Sequence, residues 1–321
     1  MFQGKNKQRI LIQIIKEIAQ EANIHCTTFS HNWIIKLTKA TTTKYIFGYN
    51  FELNTATAKD IAGDKSATYE ILTNAQVPAI EHSLLMSPQL QSYVSKNGNW
   101  ANIIELTQQY QYPIILKPNT GTGGNSVFKA NNTIQLEKAV HELFEKNRAI
   151  CISPFHHIQA EYRIIVLDKQ VEFGYKKIAP HLIGDGKTTF FDLITQQIKK
   201  GKLPPSILTE IDDYKADFDT IPKDKEIKTI SWKFNLGKGA TAQLLKEESI
   251  KTVLFPLAIQ AAQAINIRFA SIDIAELSDG TLKVLEINSG IMTEKFATFS
   301  QKNYNLVKKM YKKAIHLMLD I

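Results

Sequence analysis

Two carboxylates and one amide, Asp273, Glu286 and Asn288, are spaced so that a single chain reversal brings them together. They lie in FASIDIAELSDGTLKVLEINSG, residues 269–290, where Asp279-Gly280 interrupts alternating apolar residues. Asp-Gly in that setting is a strong hairpin signal. With Asp279 and Gly280 as the two loop residues, Ser278 faces Thr281. Counting back then sets Asp273 opposite Glu286 and Ser271 opposite Asn288. Opposed residues share a face, and so do alternate residues along one strand. The count puts Ile272, Ile274, Leu285 and Ile287 on the other face and pairs Glu276 with Lys283. Two carboxylates and an amide oxygen form a hard donor set suited to Mg²⁺, which takes one or two carboxylates and leaves room for water and phosphate. A surface hairpin with solvated acids is the other outcome these residues allow.

A second constellation lies at residues 110–130, YQYPIILKPNTGTGGNSVFKA. Ile114–Lys117 reads as a short strand ending in a lysine, Thr120–Asn125 as a glycine-rich loop, and Ser126–Ala130 as the return strand. Glycines let backbone N–H groups approach an anion closely. No Gly-Lys-Ser/Thr opens a helix here, so this is not a Walker loop. A strand follows the loop, which excludes the dinucleotide fingerprint. The pattern reads as a flap over phosphates, with an ordinary hairpin loop still open. Lys65 sits in the first turn of a helix that Asp64 caps and that ends near Asn74, before Val77-Pro78. By itself it is a surface lysine. Glu161, Arg163, Lys176 and Lys177 lie in or beside a hairpin of 162–167 and 171–178 around Asp168-Lys169.

The elements that must hold these groups follow from apolar spacing. Helices are expected over 7–22, 133–147, 250–266 and 303–319. Another starts after Thr189, an N-cap with Asp192 three residues on, and closes at Gly201. Residues 203–228 read as a loop-rich insertion. The 321 residues allow two or three lobes, which we divide at 1–60, 61–150 and 151–321. A net charge of +8, carried by Lys with Arg only at positions 9, 148, 163 and 268, suits an anionic nucleotide better than base-reading of nucleic acid. Two cysteines are too few for a disulfide framework or a zinc site, which fits a cytoplasmic protein. No apolar run approaches the roughly 20 residues of a membrane span.

The ordered set of Lys65, Lys117 with its glycine loop, Glu161, Asp273 and Glu286-x-Asn288 resembles the ATP-grasp superfamily of carboxylate–amine ligases. Gly184–Thr188 before a helix and Asn235–Gly239 are similar to stretches in the ATP-grasp domains of cyanophycin synthetases and bifunctional glutathione synthetases. More distant likenesses are to D-alanine–D-alanine ligases and ribosomal-protein glutamate ligases. The resemblance covers about residues 58–290. It implies an α+β fold of two lobes gripping ATP, with a short N-terminal lobe.

The same resemblance implies roles. Lys65 and Lys117 hold the α- and β-phosphates, and the loop of Thr120, Gly121, Gly123, Gly124 and Ser126 closes over the γ-phosphate. The backbone of Ser153–Phe155 reads adenine and Glu161 binds ribose. Asp273, Glu286 and Asn288 carry two Mg²⁺ ions, for which Mn²⁺ can substitute. Arg163 and Lys176 steady the transferred phosphoryl group or the substrate carboxylate. The implied reaction joins an amino acid or short peptide to an amine through an acylphosphate, releasing ADP. Thioester or ester formation, or a nucleotide-binding regulatory module without catalysis, are the alternatives. A homodimer is implied by analogy. Ser153 stands where the family often has Glu or Gln, and Ser289-Gly290-Ile291-Met292 replaces the common Pro-Gly, so substrates are not carried over.

Overall fold

The computed structural model describes residues 8–90, 93, 98–121, 123–124, 126–211 and 218–321, and the structural statements below concern those residues. The chain begins with α1 (Ile10–Glu21), β1 (His25–Phe29), β2 (Ile34–Lys39), β3 (Thr42–Phe47), β4 (Asn50–Phe51), α2 (Ala56–Gly63) and α3 (Lys65–Asn74). Its middle holds β5 (Ser83–Met86), α4 (Trp100–Tyr110), β6 (Ile114–Pro118), β7 (Phe128–Ala130), α5 (Thr133–Lys146) and β8 (Ala149–Pro154). Next come β9 (Ile158–Leu167), β10 (Gln170–Ile178), β11 (His181–Ile183), α6 (Phe190–Lys199), β12 (Ile227–Thr229) and β13 (Thr241–Leu244). The chain ends with α7 (Glu248–Ala264), β14 (Phe269–Leu277), β15 (Leu282–Asn288), α8 (Glu294–Thr298) and α9 (Gln301–Leu319).

The strands form sheets in the orders β1-β2-β3-β4, β5-β8-β6-β7, β11-β12 and β13-β10-β9-β14-β15. Every pair of neighbouring strands is antiparallel. Helices packed to the sides of antiparallel sheets make this an α+β fold. The expected caps are present. Asp64 accepts from Ala67 N at 2.8 Å, and Thr189 accepts from Asp192 N at 3.2 Å. The N-terminal helix begins at Ile10, and residue 7 of its expected span lies outside the described residues.

The cores do not follow the division of the sequence at 60 and 150. Helix α1 buries Ile14, Ile15 and Ile18 against Val307, Met310 and Ala314 of α9, so the two ends of the chain share one core. Each such side chain contributes roughly 1.5–3 kcal/mol by leaving water. Helices α2 and α3 place Ala58, Ala62 and Leu72 in the same core as α7 and one face of the five-stranded sheet. Strand β8 belongs with β5 and β6, where Ile150 and Ile152 meet Leu85 and Leu116. The smaller lobe is therefore the β5–β8 sheet with α4 and α5.

The β14–β15 hairpin corrects one expectation and keeps another. Leu277 N bonds Thr281 O and Gly280 N bonds Leu277 O, both at 2.9 Å, so the loop has three residues. Gly280 holds φ +83, a conformation that glycine adopts without strain. Glu276 therefore pairs with Leu282, not Lys283. Its carboxylate instead accepts from Tyr162 OH at 2.6 Å and Gln159 Nε2 at 2.9 Å. A bulge at Leu285 then restores the register, and Asp273 stands opposite Glu286 and Ser271 opposite Asn288.

Candidate functional site

The five-stranded sheet has one face on α7 and α3. Part of its other face looks toward the smaller lobe. Strand register decides which charges share that second face. Asp273 is paired with Arg163 on β9 and Glu286 on β15. Arg163 is paired with Tyr175, and Glu161 with Lys177, on β10. Opposed residues share a face, so Glu161, Arg163, Lys177, Asp273, Glu286 and Asn288 form one charged surface.

Lys176 does not join it. This residue pairs with Tyr162, and its Nζ stands 5.8 Å from the centre of the Tyr162 ring. Tyr162 belongs to the core on the opposite face. The cause is a bulge at Glu172: Val171 pairs with Val166, but Phe173 pairs with Ile165. Beyond that point the register has moved by one residue, and Lys177 takes the place expected for Lys176.

Asp273 is only 1% exposed. Arg163 donates to both of its oxygens, from Nε at 2.7 Å and Nη2 at 2.6 Å. Lys177 donates to Oδ2 at 2.9 Å and also bonds Glu161 Oε1. Burial works to raise the Asp273 pKa, but Arg163 and Lys177 together hold it well below the usual carboxylate range. Burial disfavours the Lys177 ammonium, as does Arg163, yet Asp273 and Glu161 outweigh both and raise its pKa. Two cations and two carboxylates thus neutralise one another beneath the cleft. Glu286 and Asn288 are half-buried, and Asn288 Nδ2 donates to Glu286 Oε1 at 3.1 Å. Their oxygens suit a hard divalent cation. Asp273 joins them on the same face, with its oxygens already bonded to cations.

Two lysines singled out in the sequence come from different parts of the fold, Lys117 from the smaller lobe and Lys65 from the start of α3. Lys117 on β6 lies beside Cys151 of β8. Burial pulls its pKa down, while Glu286 and Glu161 of the larger lobe push it back up. Lys65 opens α3, and its Nζ donates to Gly121 O at 2.9 Å. Thr120 forms a bridge with Asp64 beside it. Gly121, Gly123, Gly124 and Ser126 all have positive φ, which lets the loop turn tightly at the lobe boundary. Asn235 Nδ2 donates to Gly123 O at 2.5 Å, so the 235–239 turn meets the loop from the larger lobe. Residues 122 and 125 of the loop lie outside the described residues.

Where β8 passes into β9 lies a cleft of about 590 Å³, lined by Phe155, His157, Trp232, Phe234 and Gln243 and, at the end of β10, by both Lys176 and Lys177. Aromatic walls with a few polar groups are typical of small-molecule sites. Phe155 packs edge-on to Trp232 at 5.8 Å, with Lys129 Nζ 4.3 Å from the Phe155 ring centre. Phe155 N–H is bonded to Pro113 O at 3.2 Å, and Ser153 Oγ donates to Glu81 O at 2.5 Å. Neither of those two donors is free for a ligand, and Phe155 lines the cleft. Sequence reasoning passed over Lys177 as a site residue, and alternation corrected for the bulge would have found it. It also gave no role to His82, a lone histidine in a connecting segment without any spacing signal.

No family model matches the chain. It is 23% identical over 287 residues to the cyanophycin synthetase of Trichormus variabilis, covering 82% of this chain and 29% of that protein. The cyanophycin synthetase of Crocosphaera subtropica is 24% identical over 254 residues, covering 74% of this chain and 27% of that protein. The chain thus spans less than a third of the length of these relatives. Among solved structures, a bifunctional glutathione synthetase from Pasteurella multocida superposes with a TM-score of 0.57 at 14% identity, over 96% of this chain and 44% of that one. A D-alanine–D-alanine ligase from Bacillus anthracis gives 0.53 at 14% identity, over 83% of this chain and 71% of that one. The same ligase complexed with ATP gives 0.52 at 13% identity, over 83% of this chain and 68% of that one. No helix of the described residues is long and apolar enough to cross a membrane.

Proposed function

We propose that this chain, which has the ATP-grasp fold, is an ATP-dependent ligase that joins a carboxylate to an amine. The observation that carries this reading is that Asp273, Glu286 and Asn288 share one face of the five-stranded sheet, with Lys65 and Glu286 lining one cavity. A cation-lined wall facing oxygen donors is what a metal-bound triphosphate requires. In the proposed reaction a substrate carboxylate oxygen attacks the γ-phosphorus and ADP leaves. An amine then attacks the acyl carbon, and inorganic phosphate leaves as the amide forms. Amino acids or short peptides are the proposed substrates.

The chain's own groups act by placement and charge. Lys65 and Lys117 grip phosphate oxygens, and the glycine loop encloses the phosphate end and keeps water from the acylphosphate. Phe155 and Trp232 pack on the base, so adenine is held by ring contact more than by the backbone of Ser153–Phe155. Glu161 is bonded to Lys177 and serves to position that lysine, in place of the ribose contact expected from resemblance. Arg163 steadies the oxyanions of the reacting groups. Glu286 and Asn288 would hold divalent magnesium, two ions by resemblance, with Asp273 sharing oxygens that Arg163 and Lys177 already bond. When bound, the metal neutralises charge on the transferring phosphoryl group. The test is an ADP-release screen over paired amino acids, with mass spectrometry of the product. A condensed product with stoichiometric ADP supports the reading; ATP binding without ADP release across the panel would count against it.

A further inference from the structure

His82 lies on the connection from α3 to β5 and is 3% exposed. Its Nε2 has no hydrogen-bond partner among the described residues. The ring also hydrogen-bonds the Ile80 backbone. Ile80 N is itself bonded to Val284 O at 2.8 Å, which leaves the Ile80 carbonyl as the acceptor from His82 Nδ1. In a neutral imidazole Nε2 is then an acceptor. Burial, and after it the charges of Lys117 and Lys65, hold the ring neutral. A buried nitrogen left unsatisfied costs about 1–3 kcal/mol.

The imidazole lines a cavity of about 10 Å³, together with Lys65, Tyr69 and Glu286. That volume is of the order of one water molecule. Most of its walls are apolar, and the polar groups among them suit a water: His82 Nε2 and the Glu286 carboxylate can accept, and the Lys65 ammonium, which already donates to Gly121 O and Asn119 O, has a third N–H to give. The Lys65 ammonium disfavours a metal ion in the same space. Glu286 sits on β15, the edge strand of its sheet. A carboxylate at a sheet edge needs further hydrogen bonds to fix its rotamer.

We propose that one buried water, held by His82, couples the phosphate lysine Lys65 to Glu286, and that His82 is a positioning residue for metal binding. The proposal rests on the nucleotide reading of the site. Removing an outer hydrogen-bond partner of a metal ligand lowers metal affinity by about 10–100-fold. Apolar replacement of His82 therefore weakens the metal-dependent part of nucleotide binding and leaves the rest.

The experiment measures binding of a fluorescent N-methylanthraniloyl ATP in excess Mg²⁺ and in EDTA. It uses the full chain, His82→Leu and His82→Gln, whose amide oxygen keeps an acceptor. The expected result is that His82→Leu loses about tenfold in Mg²⁺, equals the wild type in EDTA, and is largely rescued in His82→Gln. Should His82→Leu fail to fold, His82→Phe, which fills the ring's space, serves the same arm. Equal loss in both media, or no loss in either, overturns the proposal while leaving the nucleotide reading intact. A wild type that binds the analogue in neither medium overturns both.

Discussion

The two hairpins that carry the site, β9–β10 and β14–β15, both depart from a simple count out of their turns, with opposite consequences. In β9–β10 a two-residue loop, Asp168-Lys169, is followed by a single bulge at Glu172 that nothing compensates. Everything beyond it changes face, so Lys177 joins the charged face of Glu161 and Asp273, and Lys176 stands beside Tyr162. In β14–β15 the longer turn moves the register one way and the bulge at Leu285 moves it back. Asp273, Glu286 and Asn288 therefore stand where a two-residue loop would put them. Side chains on a strand alternate, so one irregularity inverts which residues face the cleft and two restore it.

The largest effect belongs to the hairpin whose register survives. Glu286→Ala is expected to lower ADP release by about a thousandfold, the scale of losing several kcal/mol of charge neutralisation. A coupled ADP assay reads it, and retained turnover would detach β15 from the chemistry. The other hairpin is tested by a pair of variants. Lys177→Ala leaves Glu161 and Asp273 short of a buried partner and should cost about 3–5 kcal/mol of stability in urea denaturation. Lys176→Ala, on the opposite face, should change stability by less than about 0.5 kcal/mol. The reverse order would mean that the Glu172 bulge is absent.

The acid limb sharpens the same comparison through Asp273, which both hairpins touch. Its folded pKa lies below the usual value of 3.8. The unfolded chain thus takes up a proton before the folded one does. Stability from this group is complete above the ordinary carboxylate range and is lost as pH falls through it toward the folded value. Urea midpoints taken from pH 6 to pH 2 should stay level to about pH 4 and then fall in the wild type. Asp273→Asn should start lower and fall less. The smallest effect is at the β14–β15 turn. A Cβ on Gly280 meets nothing within 4 Å, but φ is +83, so Gly280→Ala should cost about 1 kcal/mol with little change in activity.

Much of this was legible in the sequence because it is local. Asp64 and Thr189 announce their helices one turn ahead, and apolar spacing marks α5 and α9. The Asp273–Glu286–Asn288 face follows from alternation around one turn. What escaped is set by distant partners. The bulge at Glu172 carries no glycine or proline to mark it, so the sequence does not show that Lys177 stands opposite Glu161. Glu276 finds Tyr162, separated by 114 residues, and not its hairpin neighbour Lys283. Ser153 and Phe155 have donors bonded to Glu81 and Pro113, which only the folded β5–β8 and β6–β8 pairings bring close. His82 has no companion in sequence, and its neighbours in the cavity come from α3 and β15.

If the chain is a ligase of the proposed kind, the shared face of the two hairpins takes a divalent cation together with ATP. Electron paramagnetic resonance of Mn²⁺, titrated with and without ATP, addresses it directly. The expected result is tight Mn²⁺ uptake that requires ATP and disappears in Glu286→Ala. Uptake that persists unchanged in Glu286→Ala, or that is indifferent to ATP, would contradict the account.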